Sequence, residues 1–145
     1  MSDFPAFGIP DYSKLLSQLH KLSLPALPVS RMRDHVGPGV FLRHDIDFSL
    51  ELAMPLARAE AEKGVRASFY VLLSGPYDLR NKANRRALDE LRDMNHEIGL
   101  HYDLRTYPES PDARKDALLG EIRELERLIG LSLIHISEPT RRPII

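Results

Sequence analysis

Two aspartates separated by one residue, Asp45 and Asp47, are the first residues whose types and spacing could do chemistry. They follow Val40-Phe41-Leu42, an apolar run typical of a buried strand. Because strand side chains alternate between faces, both carboxylates are expected on one face at the end of this strand. Like charges that close favour a cation or proton between them, so the pair predicts a metal site or a general base. In the alternative, one aspartate caps the next helix and the other is solvated, although Ser49 is already available as a cap.

His101 and Asp103 form a second pair with the same spacing, at the end of another strand. They too are expected to share a face, and this strand should lie close to the first. The two pairs then converge, and this makes His101 a metal ligand rather than a core histidine. His96 lies five residues before His101, which is roughly 16 Å along a strand at about 3.3 Å per residue. We therefore expect His96 to be a hydrogen-bonded structural residue.

Strands and helices alternate along the part of the chain that must position these residues. Such alternation predicts an α/β fold with a parallel sheet, right-handed crossovers and an active site at the carboxyl ends of the strands. Pro55 lies inside the first helix of this region and predicts either a kink or a late start. The predicted elements are a short helix capped by Asp11 within an extension over residues 1–36, strands from Val40, over 67–73 and over 96–101, and helices over 49–63, 84–94 and 112–129.

The composition limits the classes of function. The chain has 145 residues, 43% of them hydrophobic and 28% charged, which predicts one soluble globular domain. Its 20 basic residues nearly balance its 21 acidic ones, so nucleic acid is not an expected partner. The absence of cysteine excludes disulfides, thiolate nucleophiles and thiolate metal sites. Neither a signal peptide nor a membrane span is recognisable, so we expect a cytoplasmic protein.

The C-terminal stretch LSLIHISEPTR, at residues 131–141, resembles the translation of adapter DNA from transposase-based sequencing libraries. The match is continuous, and it predicts that residues 131–145 are a non-native tail and that the native sequence is cut near Gly130. The alternative is an apolar strand over residues 131–136 followed by a turn. On the adapter hypothesis His135 plays no part in the site.

Three segments occur in order along about sixty residues: LRHDID at residues 42–47, EKGVRASFYVL at 62–72 and HEIGLHYD at 96–103. Together they resemble the polysaccharide deacetylase (NodB-homology) superfamily, in the branch whose first motif reads Arg-His-Asp-Val/Ile-Asp. The resemblance implies a distorted (β/α) barrel, of which residues 37–130 would be the N-terminal part, truncated after about three strands. It also implies a divalent metal and the removal of N-acetyl or related acyl groups from sugars.

The resemblance also assigns roles to residues. It implies that Asp45 is the general base and that Asp47 and His101 are metal ligands. The second histidine of the family's metal motif is replaced by Arg105. Asp103, which shares a face with His101, is the substitute ligand that we would choose, and a residue beyond the cut is the alternative. Histidine with carboxylates suits zinc, and also iron, cobalt or manganese. The substrate would be an acylated sugar or glycan, and the later motifs of the family are missing, so we expect this chain to be an inactive fragment.

Two other hypotheses remain open. Asp45-x-Asp47-x-Ser49 after an apolar strand resembles the nucleophile motif of haloacid-dehalogenase-type phosphatases, but that hypothesis gives His101 and Asp103 no role. In the second, the fold is a non-catalytic scaffold or binding module, with Arg105 marking lost catalysis. The oligomeric state stays open under all three.

Overall fold

A computed structural model describes residues 7–130, and within them strands and helices alternate as the sequence predicts. The predicted non-native tail lies outside the described residues. The helices are α1 (Ile9–Lys21), α2 (Leu50–Glu62), α3 (Lys82–Asp93) and α4 (Pro111–Ile129), the strands are β1 (Ala26–Pro28), β2 (Val40–Ile46), β3 (Ser68–Leu72) and β4 (Glu97–His101), and short 3-10 turns occupy Val29–Met32 and Leu104–Thr106.

The four strands form one parallel sheet in the order β1-β2-β3-β4, which confirms the predicted α/β class. Each strand pairs with its neighbour in sequence, and the helices pack on one another in the same succession. A sheet that winds in one direction without reversing its strand order is the arrangement found in (β/α) barrels, whereas doubly wound sheets reverse it. Closure of such a barrel beyond β4 remains a prediction.

The described sheet has four strands rather than the predicted three. The additional strand, β1, contains only three residues and lies at the edge of the sheet, where Ala26 is in register with Val40. The sequence does not predict this strand, because it contains or adjoins prolines at positions 25 and 28. Proline has no backbone N–H and cannot donate a hydrogen bond to a neighbouring strand. An edge strand tolerates that loss, since one of its sides has no partner to bond.

Side-chain caps begin two of the helices, and the first helix differs from the prediction. The Ser49 hydroxyl accepts from the Leu52 amide at 3.3 Å, so α2 begins at Leu50 and Pro55 does not delay its start. The predicted cap of α1, Asp11, is instead its third residue, and its carboxylate accepts from the Gly8 amide at 3.3 Å. Proline fits the first turn of a helix, so α1 can begin before Pro10 and hold Asp11 in that turn.

The apolar core lies between the sheet and the helices. Alternate residues of β2, β3 and β4 point to this face, and they pack against the inner sides of α2, α3 and α4. None of the helices among residues 7–130 has the length and apolarity needed to cross a membrane. The main core residues are Ile46, Phe69, Val71 and Ile98 from the strands and Leu50, Met54, Ala57, Leu88, Leu91, Leu125 and Ile129 from the helices.

The connection between β1 and β2 lies on the other face of the sheet. The Val29 amide donates to the Ser68 hydroxyl at 2.9 Å, and the Ser30 hydroxyl donates to the carboxylate of Glu97. The Ser68 hydroxyl also donates to Glu97, at 2.7 Å. Ser68 and Glu97 alternate with Phe69 and Ile98, which point into the core. The first connection therefore covers the start of β3 and β4 on the face opposite to the helices.

Candidate active site

Asp47 and His101 meet at the carboxyl ends of β2 and β4. Extending the strand register places Asp47 level with Leu72 of β3, and Leu72 is in turn paired with His101. The two backbones are thus roughly 10 Å apart, two strand spacings, and the side chains reach toward each other across β3. His101 Nε2 lies 3.2 Å from Asp47 Oδ1, with 27% and 55% of the side chains exposed. The structure therefore brings together two of the predicted ligands where solvent can reach them.

Asp45 lies two residues before Asp47, on the same face of β2, and is held by Arg43. The guanidinium donates from Nε to Asp45 Oδ1 at 2.8 Å and from Nη2 to Oδ2 at 3.3 Å. The Arg43 guanidinium also stacks over the ring of Tyr70, at 4.1 Å from its centroid. A carboxylate has about four lone-pair sites, so this grip orients Asp45 and leaves each oxygen a free lone pair. The sequence analysis missed Arg43 and Tyr70, although their positions in the strands place them on the same face as Asp45.

Asp103 is bound to Arg105 rather than to the Asp47–His101 pair. Arg105 Nη2 donates to Asp103 Oδ2 at 2.6 Å, and Nε contacts both carboxylate oxygens. These side-chain bonds, with the Arg105 backbone amide, lower the pKa of Asp103 to about 2. In the described part of the chain, no group of three His, Cys, Asp or Glu side chains could hold a metal. Asp103 therefore stays a predicted ligand that would have to exchange Arg105 for an ion.

The donor chemistry of the pair fits a divalent metal. A carboxylate and an imidazole suit zinc, iron, cobalt or manganese, and a catalytic zinc site needs three protein ligands with one position open. Asp47 and His101 supply two such donors within reach of one ion. In the observed arrangement, residues 7–130 do not supply a third protein ligand.

Tyr77 fixes the ends of the two strands beneath Asp47. Its hydroxyl donates to the Ile46 carbonyl at 2.6 Å and accepts from the Leu72 amide at 2.9 Å. Burial raises the pKa of Tyr77, and the nearby charge of Asp47 raises it further. The hydroxyl is therefore a stable link between the last residue of β2 and the end of β3. The sequence contains no signal for this contact, because Tyr77 lies in a loop 31 residues after Ile46.

We expect Tyr77→Phe to lower the free energy of unfolding by about 1–3 kcal/mol, because it leaves a partly buried carbonyl and amide without their partner. Urea unfolding followed by circular dichroism measures the change. Tyr102→Phe, which removes a hydroxyl from a half-exposed ring, is the matched control and should change stability by less than about 0.5 kcal/mol. Equal stability of the two variants would contradict the role given to Tyr77.

His44 points to the helix face of β2, away from Asp45, and contacts a buried carboxylate there. Its Nε2 lies 2.7 Å from Oε1 of Glu60, and the Tyr12 hydroxyl donates to the same oxygen at 2.5 Å. Glu60 is fully buried, and its other oxygen, Oε2, has no hydrogen-bond partner among residues 7–130. The histidine of the Arg-His-Asp-Ile-Asp motif thus ties β2 to α1 and α2.

We expect Tyr12→Phe to destabilise the protein by about 1–3 kcal/mol at neutral pH, because Glu60 loses a donor in a buried setting. Burial raises the pKa of the Tyr12 phenol, and Glu60 raises it further. A raised pKa means that the contribution of this group is complete below the unfolded-state pKa, about 10, and is lost as pH rises toward the folded-state pKa. The stability difference between wild type and variant should therefore be constant from pH 6 to 9 and shrink above pH 10. A constant difference through pH 11 would contradict this.

His96 is a buried structural residue, as its distance from His101 predicts. Its Nδ1 accepts from the Ala67 amide at 3.1 Å, and its Nε2 lies 2.9 Å from the Ala57 carbonyl. An acceptor at Nδ1 and a donor at Nε2 describe a neutral ring with both nitrogens in use. His96 therefore has no nitrogen free for a metal.

An open cleft of about 820 Å³ surrounds these carboxyl ends. Its lining combines charged residues with exposed aromatic and aliphatic ones, and the sequence analysis did not anticipate the latter. The lining residues beyond the pairs already described are Phe48, Leu72, Ser74, Gly75, Pro76, Tyr102 and Leu104.

No family model matches the chain, and no curated protein matches it. Among solved structures, the chain is similar to the chitin deacetylase from the fungal pathogen Colletotrichum lindemuthianum, with a TM-score of 0.44 and 20% sequence identity. The similarity covers 67% of this chain and 40% of that chain. Activity and substrate therefore have to be argued from the side chains of this chain's own cleft.

Proposed function

We propose that this chain is part of a metal-dependent hydrolase of the polysaccharide deacetylase type, which removes N-acetyl or related acyl groups from a carbohydrate. The observation that carries the proposal is the approach of His101 Nε2 to Asp47 Oδ1, at 3.2 Å, with Asp45 on the same face of β2. The resemblance of the three sequence segments to that superfamily supports the same roles for these three residues.

Asp47 and His101 would hold the metal, with Asp103 as the third ligand that we propose within the chain. When bound, a divalent ion would polarise an acyl carbonyl and lower the pKa of water. Zinc is our first choice, and iron, cobalt and manganese remain consistent with the donors. Asp103 would first have to release the Arg105 guanidinium, which binds both of its oxygens.

Asp45 would act as the general base. Its carboxylate is held in a fixed orientation by Arg43 and keeps a lone pair free on each oxygen to accept a proton from water. Arg43 itself is fixed against Tyr70, so the base has little rotational freedom to lose on reaching the transition state. The residues that would protonate the leaving amine are expected in the missing motifs.

The contact between Asp47 and His101 also separates this proposal from its alternatives. A phosphatase that uses Asp45 as a nucleophile has no use for a histidine beside Asp47. A scaffold or binding module has no need for a metal at stoichiometric amounts. Metal content and reaction product therefore distinguish the three.

The experiment is product analysis with the full-length parent protein that the sequence analysis predicts. We expect zinc-dependent release of acetate from an acetylated sugar and no release of inorganic phosphate from a phosphoester. The 145-residue chain is expected to show no turnover even with added zinc, because the missing motifs supply much of the positioning and proton transfer. Phosphate release, or a parent without metal and without turnover, would contradict the proposal.

A further inference from the structure

Two aromatic side chains stand exposed in the cleft, each directly after a proposed metal ligand. Phe48 follows Asp47 and is 81% exposed, and Tyr102 follows His101 and is 48% exposed. Neither ring is needed by the proposed chemistry. Large rings left in contact with water within a concave site are typical of surfaces that cover a ligand.

The ring of Tyr102 is braced from behind. It meets the ring of Tyr107 edge to face, with centroids 6.2 Å apart and planes at 90°. The Tyr107 hydroxyl donates to Glu121 of α4, and the Ser74 hydroxyl donates to the other oxygen of Glu121 at 2.7 Å. The loop after β3, the loop after β4 and α4 are thus joined behind Tyr102. A ring held this way loses little freedom when a ligand stacks on it.

The rest of the lining is charged. Arg43, Asp47, His101 and the Asp103–Arg105 pair present donors and acceptors to the same space as the two rings. A pyranose has this mixed character, because its ring faces expose C–H groups and its rim carries hydroxyls. C–H groups carry partial positive charge, which the negative face of an aromatic ring attracts. The cleft of about 820 Å³ lies within the range of roughly 300–1,000 Å³ typical of small-molecule sites.

We infer that Tyr102 is a stacking platform for a sugar ring, with Phe48 as a second contact, so that the cleft binds an oligosaccharide across the end of the sheet. The identity of the ligand as a sugar rests on the proposed function. The role of Tyr102 rests on its exposure in the cleft and on the brace formed by Tyr107 and Glu121.

The test is binding of a β-1,4-linked tetramer of N-acetylglucosamine to the 145-residue chain, followed by calorimetry or by NMR titration. We expect saturable binding that Tyr102→Ala weakens roughly tenfold, the effect of losing one well-placed aromatic contact. Tyr102→Phe keeps the ring and should stay within about twofold of wild type. Phe7→Ala is the matched control, since Phe7 is an exposed ring outside the cleft and its loss should not change binding.

Equal affinity of wild type and Tyr102→Ala would overturn the platform, as would the absence of saturable binding by the wild-type chain. Circular dichroism of Tyr102→Ala checks that the fold is kept. Phe48→Ala is a second variant, and we expect it to weaken tetramer binding as well. A failure of the proposed function would give a different set of results. The parent would then release phosphate or lack metal, while tetramer binding by this chain still depended on Tyr102.

Discussion

His101→Ala and Asp47→Ala are each expected to abolish specific metal binding by the chain. Each change removes one of the two donors that lie 3.2 Å apart in the cleft, and the site then falls below the three protein ligands that a catalytic zinc site needs. Titration with Co²⁺, whose visible spectrum reports its ligands, measures the effect, and elemental analysis gives the metal content per chain. We expect the affinity to fall by at least about a hundredfold, which exceeds the usual effect of changing an outer-shell partner.

His96→Gln is the matched control for the metal experiment. His96 is a buried histidine immediately before β4, the strand that ends at His101, and both of its nitrogens contact the backbone. This variant should lower stability and leave the cobalt spectrum of the folded fraction unchanged. A fully metallated His101→Ala protein, or loss of the ion from folded His96→Gln, would show that the wrong histidine has been placed in the site.

Asp45→Asn should separate metal binding from catalysis. The amide keeps the shape of the side chain but cannot accept a proton from water at neutral pH. We therefore expect the full-length parent to keep its metal and to lose about two to four orders of magnitude in acyl-release turnover, the usual effect of a positioned general base. The measurement pairs kcat with metal content from the same preparation.

Asp34→Asn controls for the loss of one negative charge, because Asp34 is exposed in the connection between β1 and β2. Its turnover should equal that of wild type. An Asp45→Asn parent with more than about a tenth of wild-type turnover would remove Asp45 from the role of base. Loss of metal in this variant would instead make Asp45 a ligand.

Much of the sheet and the central pair could be predicted because their signals are local. Apolar runs mark the strands at residues 40–46 and 68–72, and the alternation of side chains along a strand puts Asp47 and His101 on one face. Sequential parallel pairing then brings them together across β3. The alternation of side chains along a strand and the sequential order of the parallel strands were sufficient to predict this part of the site.

The remaining contacts depend on side chains that meet across long stretches of sequence. Tyr77 reaches back 31 residues to the Ile46 carbonyl, and Tyr12 reaches Glu60 across 48 residues. No spacing rule relates such pairs, because their proximity follows only from the packing of loops and helices on the sheet. Arg105 is a different case. The sequence analysis treated it as a missing ligand, whereas in the structure it neutralises the carboxylate proposed to take that ligand's place.

The position of the first connection has a consequence for the order of folding. Adjacent strands are neighbours in sequence, so each can pair soon after the next strand leaves the ribosome. Val29 and Ser30 are the exception, because their partners Ser68 and Glu97 lie 39 and 67 residues further on. The Val29 contact therefore requires β3, and the Ser30 contact can form only after β4 has docked. During folding from the N-terminus, the segment between β1 and β2 would therefore dock late. The Val29 amide should gain protection from hydrogen exchange after the amides of β2 and β3.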